Sequence, residues 1–253
     1  MTATATLTRN SRAEWSRLWS VRSSRLFAAA TAAGVLGISA LAASQSAASA
    51  PAGGSPWQLA GMIGLPGLFG VLVLVTVAAT ADHATGNIIP TLQWTPRRTV
   101  LFAVRTAVLT TTATLLGIGL LVASSTTIWL FAPQLTYFSR SAAEKVGSVA
   151  LVFAATALLA IGLGLAVRNT AAALVCVFAL VLILPLFLQI LPFEWVTRLI
   201  EVLPGSAALF FFLGEGPGEA TMTAAGSTMI LLSWAIAALI AGGWRLLRSD
   251  ADR

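Results

Sequence analysis

The chain has 253 residues, of which 57% are hydrophobic and only 9% charged, with a net charge of +6 and a mean hydropathy of +0.88. Ordinary soluble domains carry roughly a quarter charged residues, so a soluble globular enzyme, a disordered chain and a coiled coil are excluded. Six apolar stretches point instead to an all-α membrane protein with six transmembrane helices.

Residues 1–25 form the first element. At 100° per residue Trp15, Leu18, Trp19 and Leu26 fall on one face, while Arg9, Arg12, Ser16 and Ser20 fall mostly on the other and Arg22 interrupts the stripe. This pattern predicts an amphipathic helix lying in the membrane interface, with Trp15 and Trp19 as headgroup anchors and arginine toward anionic lipid. The apolar run that follows, ending near Ala48-Ser49-Ala50, loosely resembles a secretory signal with its cleavage site. The 25-residue basic region, its two Trp and the length of the run argue for a retained span.

The six-helix transmembrane region occupies 26–244, with spans at 26–43, 59–81, 106–123, 146–167, 171–191 and 222–244. Each has about the 17–25 residues a crossing needs, and inside lipid each must be helical to pair its own backbone. The outer connector at 44–56 is Ala/Ser/Gly/Pro-rich and uncharged. The next outer connector, 124–145, carries Trp129, Phe131, Tyr137 and Phe138, read as an interfacial aromatic belt. Residues 192–221 are too apolar for a solvated loop: Leu203 stands just before Pro204, and the run from Leu209 to Leu213 lies between Pro204 and Pro217. Two short re-entrant helices before the sixth span are expected there, ahead of the alternative of an ordinary outer amphipathic segment. Residues 245–253 form a tail.

Six spans put both termini on one side. With the termini in the cytoplasm, twelve Arg and Lys fall inside and three (Arg140, Lys145 and Arg198) outside, while Glu144, Glu194, Glu201, Glu215 and Glu219 fall outside. This is the positive-inside bias, and it also accounts for the net charge without nucleic acid.

The spans hold almost no ionisable groups, which speaks against a proton- or ion-coupled carrier and against intramembrane catalysis. One His, His83, beside Asp82 is too thin for a metal site, and no cofactor is expected. The single cysteine, Cys176, precludes a disulfide within the chain. Gly61, Gly64, Gly67 and Gly70 in span two, with smaller sets in spans one and four, suit close helix packing. Pro66 and Pro185 are expected to kink spans two and five. Thr110, Thr111, Thr112 and Thr114 suit either a polar path or bonds to their own backbone.

The inner loop 82–105, DHATGNIIPTLQWTPRRTVLFAVR, is the most informative stretch. Pro90 and Pro96 confine any helix in it to a turn or two, a form suited to docking another protein, or simply to a topogenic loop. Asp82, Gly86, Asn87, Ile88, Thr91, Leu92, Pro96, Arg97, Arg98 and Arg105 follow a fixed order: acid, three residues, Gly, then Thr-Leu, then Pro-Arg-Arg, then a basic residue nine positions after the Pro. That order resembles the ABC-2 type permeases, the membrane subunits of ATP-binding-cassette exporters. Actinobacterial members typically run Glu-x-x-x-Gly-Thr-Ile, Thr-Leu, Pro-Arg-Arg and Ala-Lys. The chain departs with Asp82 for Glu, Asn87 for Thr and Arg105 for Lys.

The resemblance extends to the plan of an elbow helix, six spans and re-entrant helices before the sixth. It implies a permease subunit in a bacterial plasma membrane, paired with a second, identical or homologous copy. Two copies of a separate ABC ATPase would drive export of an amphipathic or hydrophobic substrate. By the same resemblance Asp82, Thr85, Gly86, Pro96, Arg97 and Arg98 dock the ATPase, and Arg105 anchors the loop to the membrane. The chain is not itself the ATPase: a Walker A loop needs a lysine, and the only one, Lys145, sits in SAAEKVG. The rival readings are a stand-alone secondary carrier and a non-transporting membrane scaffold.

Overall fold

A computed structural model describes residues 3–46, 54–84, 98–217 and 220–248. Among these every regular element is a helix: α1 (Ala3–Ser20), α2 (Arg22–Ser46), α3 (Pro56–Ala84), α4 (Arg98–Phe131), α5 (Arg140–Val167), α6 (Thr170–Leu188), α7 (Glu194–Glu201), α8 (Pro204–Leu213) and α9 (Ala224–Arg248). Six of them, α2 to α6 and α9, are long and apolar enough to cross a membrane. Six such helices in one chain suggest a multi-pass membrane protein.

The helices overrun the apolar runs that reveal them. Span three, expected at 106–123, is the 34-residue α4, and span four begins at Arg140 rather than 146. Hydropathy marks the hydrocarbon, whereas a helix continues until a residue stops it. In α4 the stop is Pro133, which disfavours helical backbone at Ala132. The connector beyond α4 therefore shrinks to 132–139. The opposite correction applies to α1: a bend at Val21 separates it from α2, so Leu26 belongs to the next helix and not to the interfacial stripe.

Specific residues set the turns. Arg168 adopts left-handed backbone (φ 59°), and its N–H closes α5 on the Gly164 carbonyl at 3.0 Å. The Asn169 side chain then caps α6 by accepting from the Ala172 N–H at 3.0 Å, satisfying one of the orphan donors of a helix start. Two residues thus reverse the chain between spans.

α5 is the central pillar: 67% of its apolar window is buried, against 17–22% for α2, α6 and α9. Its tightest neighbour is α9. A Cβ added to Gly162 would lie 2.3 Å from the main-chain carbon of Ala238, and one on Gly242 would lie 2.4 Å from the Gly162 carbonyl oxygen. The two backbones touch, as small residues allow where no hydrophobic effect drives association. Polar bonds pin other crossings: Ser39 to Ser124 at 2.7 Å between α2 and α4, and Thr80 to Thr170 at 2.8 Å between α3 and α6.

α3 runs on through Pro66, whereas α6 responds to Pro185 with a π-helical turn over Ala179–Ile183. Proline lacks the N–H that the Val181 carbonyl would receive in an α-helix. Gly205, at the start of α8, packs against that carbonyl, with its added Cβ only 2.1 Å from the Val181 oxygen.

The segment 192–221 contains α7 and α8, bent by 78° at their junction. Lys145 on α5 donates from Nζ to the Phe211 and Phe212 carbonyls at 2.9 and 3.1 Å. A cation thus meets the negative end of α8, while Gly61 leaves room for the lysine stem. At the same end Tyr137 lies between Trp57, tilted to it, and Trp129, edge-on to it, with centroids 5.2 and 5.8 Å away. The Trp57 indole donates to the Tyr137 carbonyl at 2.8 Å. Of the four aromatics expected to form a belt, Tyr137 is therefore a packed centre and Phe138 stands 91% exposed.

Candidate functional site: a buried charge cluster at the foot of spans two and three

α3 ends and α4 begins at the same end of the bundle, and α1 lies against that end. In the last turn of α3 stands Asp82, and two turns into α4 stands Arg105; each is only 3% exposed. α1 contributes Glu14 and Arg17, one turn apart on the side facing them.

Four charges meet there. Arg17 grips Asp82 with both terminal nitrogens, Nη1 donating to Oδ2 at 3.1 Å and Nη2 to Oδ1. Arg105 Nη2 donates to Asp82 Oδ2 at 2.5 Å and to Glu14 Oε1 at 3.3 Å. Arg17 Nη1 also lies 3.6 Å from Glu14 Oε1. Two carboxylates and two guanidinium groups alternate, so the cluster is neutral. Isolated buried ions cost several kcal/mol each. Alternation and forked arginine geometry offset that cost and hold three helices in one arrangement.

The cluster places two of the expected site residues differently from the sequence reading. Asp82, expected to meet a soluble partner, spends its carboxylate on Arg17 and Arg105 within the chain. Arg105, expected to reach for headgroups, turns inward, and its Nε has no hydrogen-bond partner among the described residues. Thr85, Gly86, Pro96 and Arg97 lie outside the described residues. Arg98 opens α4 and donates to the Leu246 carbonyl in the last turn of α9 at 3.2 Å. Trp15 is 47% exposed and pairs with the half-buried Trp19 at 5.9 Å, while Leu18 of the same stripe is 5% exposed. Glu14 and Arg17 were not singled out by sequence. The available signal was that Glu14 is the only acid among the first 81 residues.

A second set of arginines gathers at the same end. Arg168 Nη2 donates to the Arg245 carbonyl at 3.0 Å, and Arg245 Nη1 donates to the Ala166 carbonyl. Each guanidinium thus closes the carboxyl end of the other's helix. Arg248 lies over the Trp244 ring at 3.5 Å. Burial, with Arg245 and Arg98 close by, pushes Arg168 below its ordinary pKa.

Between α2, α3 and α4 runs an apolar cleft of about 240 Å³, walled by Thr31, Leu36, Val71, Leu74, Leu116 and Leu120 among others. The threonines of α4 divide. Thr112 and Thr114 bond their own helix carbonyls at 2.7 and 2.9 Å. Thr111 faces the groove under α1, and the Thr110 hydroxyl has no partner among the described residues. No group of three or more His, Cys, Asp or Glu that could hold a metal occurs among the described residues. No known family model matches the chain, and no curated protein matches it.

Proposed function

We propose that this chain is the membrane-spanning subunit of an ATP-binding-cassette exporter, with the termini and the segment between spans two and three in the cytoplasm. In this reading 85–97 docks a separate ATPase, and the charge cluster makes that segment mechanically useful. The observation that carries the reading is the ion lock among Glu14, Arg17, Asp82 and Arg105. It joins the interfacial helix to both helices that flank the docking segment, so a push on the segment moves α1, α3 and α4 together.

Asp82 then acts as a positioning residue, and contact with the ATPase falls to Thr85, Gly86, Pro96, Arg97 and Arg98. The bent pair α7–α8, capped by Lys145, suits a re-entrant element on the outer side. The apolar cleft suits the hydrophobic part of an amphipathic substrate moving between this subunit and a second copy.

The test uses the full chain in proteoliposomes with an ATP-binding protein that copurifies with it. Arg97→Glu is expected to abolish copurification of the two proteins and the substrate-stimulated part of ATP hydrolysis. Unchanged copurification and turnover in that variant, or solute flux without any ATPase, overturns the reading.

A further inference from the structure

At the basic end of the bundle the closing turns of α5 and α9 leave a groove of about 600 Å³ lined by Ala166, Ala237, Ile240, Ala241, Trp244 and Arg245. Its wall is apolar for two turns of α9 and then meets arginine. Arg245 spends one of its five N–H donors on the Ala166 carbonyl, which leaves four. Arg168 stands beside it, with its Nε enclosed and without a partner among the described residues. Arg248, one turn further along α9, lies over the ring of Trp244, which lines the groove. None of the five ion pairs found among the described residues involves Arg168, Arg245 or Arg248.

We infer that this groove is a binding site for an anionic phospholipid. The phosphate sits on Arg245 between Arg168 and Arg248, and one acyl chain lies along Ala237, Ile240 and Ala241. Charge complementarity selects the occupant. A guanidinium fork matches phosphate geometry, and three of them with no carboxylate partner among the described residues favour a headgroup of net negative charge over a zwitterion. Position selects a lipid over a soluble anion, because the apolar wall continues directly from the phosphate site along the membrane-facing side of α9. Ile240 and Trp244 there are 64% and 57% exposed. Basic pockets between transmembrane helices bind acidic headgroups in this way. The site is separate from the charge cluster of Asp82 and does not depend on the transporter reading.

The experiment is native mass spectrometry of the full-length protein titrated with phosphatidylglycerol or phosphatidylcholine. Preferential retention of phosphatidylglycerol is expected, weakened roughly fivefold per arginine removed. Arg248→Gln is the leading variant, since Arg248 makes no main-chain cap. Arg245→Gln is read beside it, with helicity by circular dichroism as the check on folding. Ala241→Phe fills the groove while leaving every arginine in place, and is expected to reduce lipid retention as much. Equal retention of both lipids overturns the proposal. So does a preference that survives both Arg248→Gln and Ala241→Phe, or one that inorganic phosphate at equal concentration abolishes.

Discussion

Asp82 shows how a single residue can be recognised by type while its partners within the chain stay hidden. An acid at the foot of an apolar helix announces itself in the sequence, but whether it faces a partner or its own chain depends on residues 65 positions before it and 23 after it. Pairing across such distances is tertiary and leaves no periodic trace. The lock makes a specific prediction. Arg105→Gln strands Asp82 and Glu14 with one cation, and is expected to destabilise the protein by about 3–5 kcal/mol, the usual cost of breaking a buried pair from one side. Asp82→Asn is costly too, but the double variant is expected to lose less than the sum, because each change removes the other's stranded charge. Unfolding in detergent, followed by tryptophan fluorescence, measures all three; strict additivity would refute the lock. Lys145 offers a second case. Its methionine variant uncovers two carbonyls at the end of α8, and a loss of about 1–3 kcal/mol is expected from leaving buried acceptors unmet. Faster amide exchange should be confined to α7–α8 and their junction with α9.

At the scale of elements, existence and order were legible while ends and irregularities were not. All six spans announce themselves by apolar length, and the two short helices of 192–221 by prolines bracketing a hydrophobic run. The length of α4 was hidden because threonine, serine and arginine lower hydropathy without stopping a helix. The π turn in α6 was hidden because Pro185 states only that a hydrogen bond is missing. Pro66 states the same in α3, and there the helix carries on. At α6, unlike α3, a neighbouring helix start, Gly205, is seated against the carbonyl four residues before the proline. The α5–α9 contact gives the sharpest test at this scale. Gly162→Ala sets a methyl group into the main chain of α9 and should destabilise the protein by about 1–3 kcal/mol, the range for overpacking a tight interface. Gly34→Ala, whose added Cβ meets nothing within 4 Å, should be silent in the same thermal assay.

For the molecule as a whole, composition points to the class and charge asymmetry proposes the orientation. Fold and charge are consistent in one respect: the helix ends that bear Arg17, Arg98, Arg105, Arg168 and Arg245 all lie together. An orientation test follows. In a Cys176→Ala background, Phe138→Cys, at a 91% exposed position opposite the arginine end, is expected to react with a membrane-impermeant maleimide on intact cells. Thr99→Cys, exposed at the arginine end, is expected to react only after permeabilisation. The reverse pattern would invert the topology and remove the basis for a cytoplasmic docking segment. The arginine groove between α5 and α9 was not legible beforehand, since its three guanidinium groups come from two turns separated by 77 residues.

α4 is longer than a bilayer crossing requires. Its 34 residues, at about 1.5 Å each, make a rod of roughly 51 Å, while the hydrocarbon layer is about 30 Å thick. The surplus has to be taken up by slant or by protrusion. Near the middle of the rod, Phe153 presses on Gly117 with no space for a methyl group between them. Were α4 to pivot as a rod on that contact, a swing of the foot that carries Arg105 would be answered at the far tip, beside Trp129 and Tyr137.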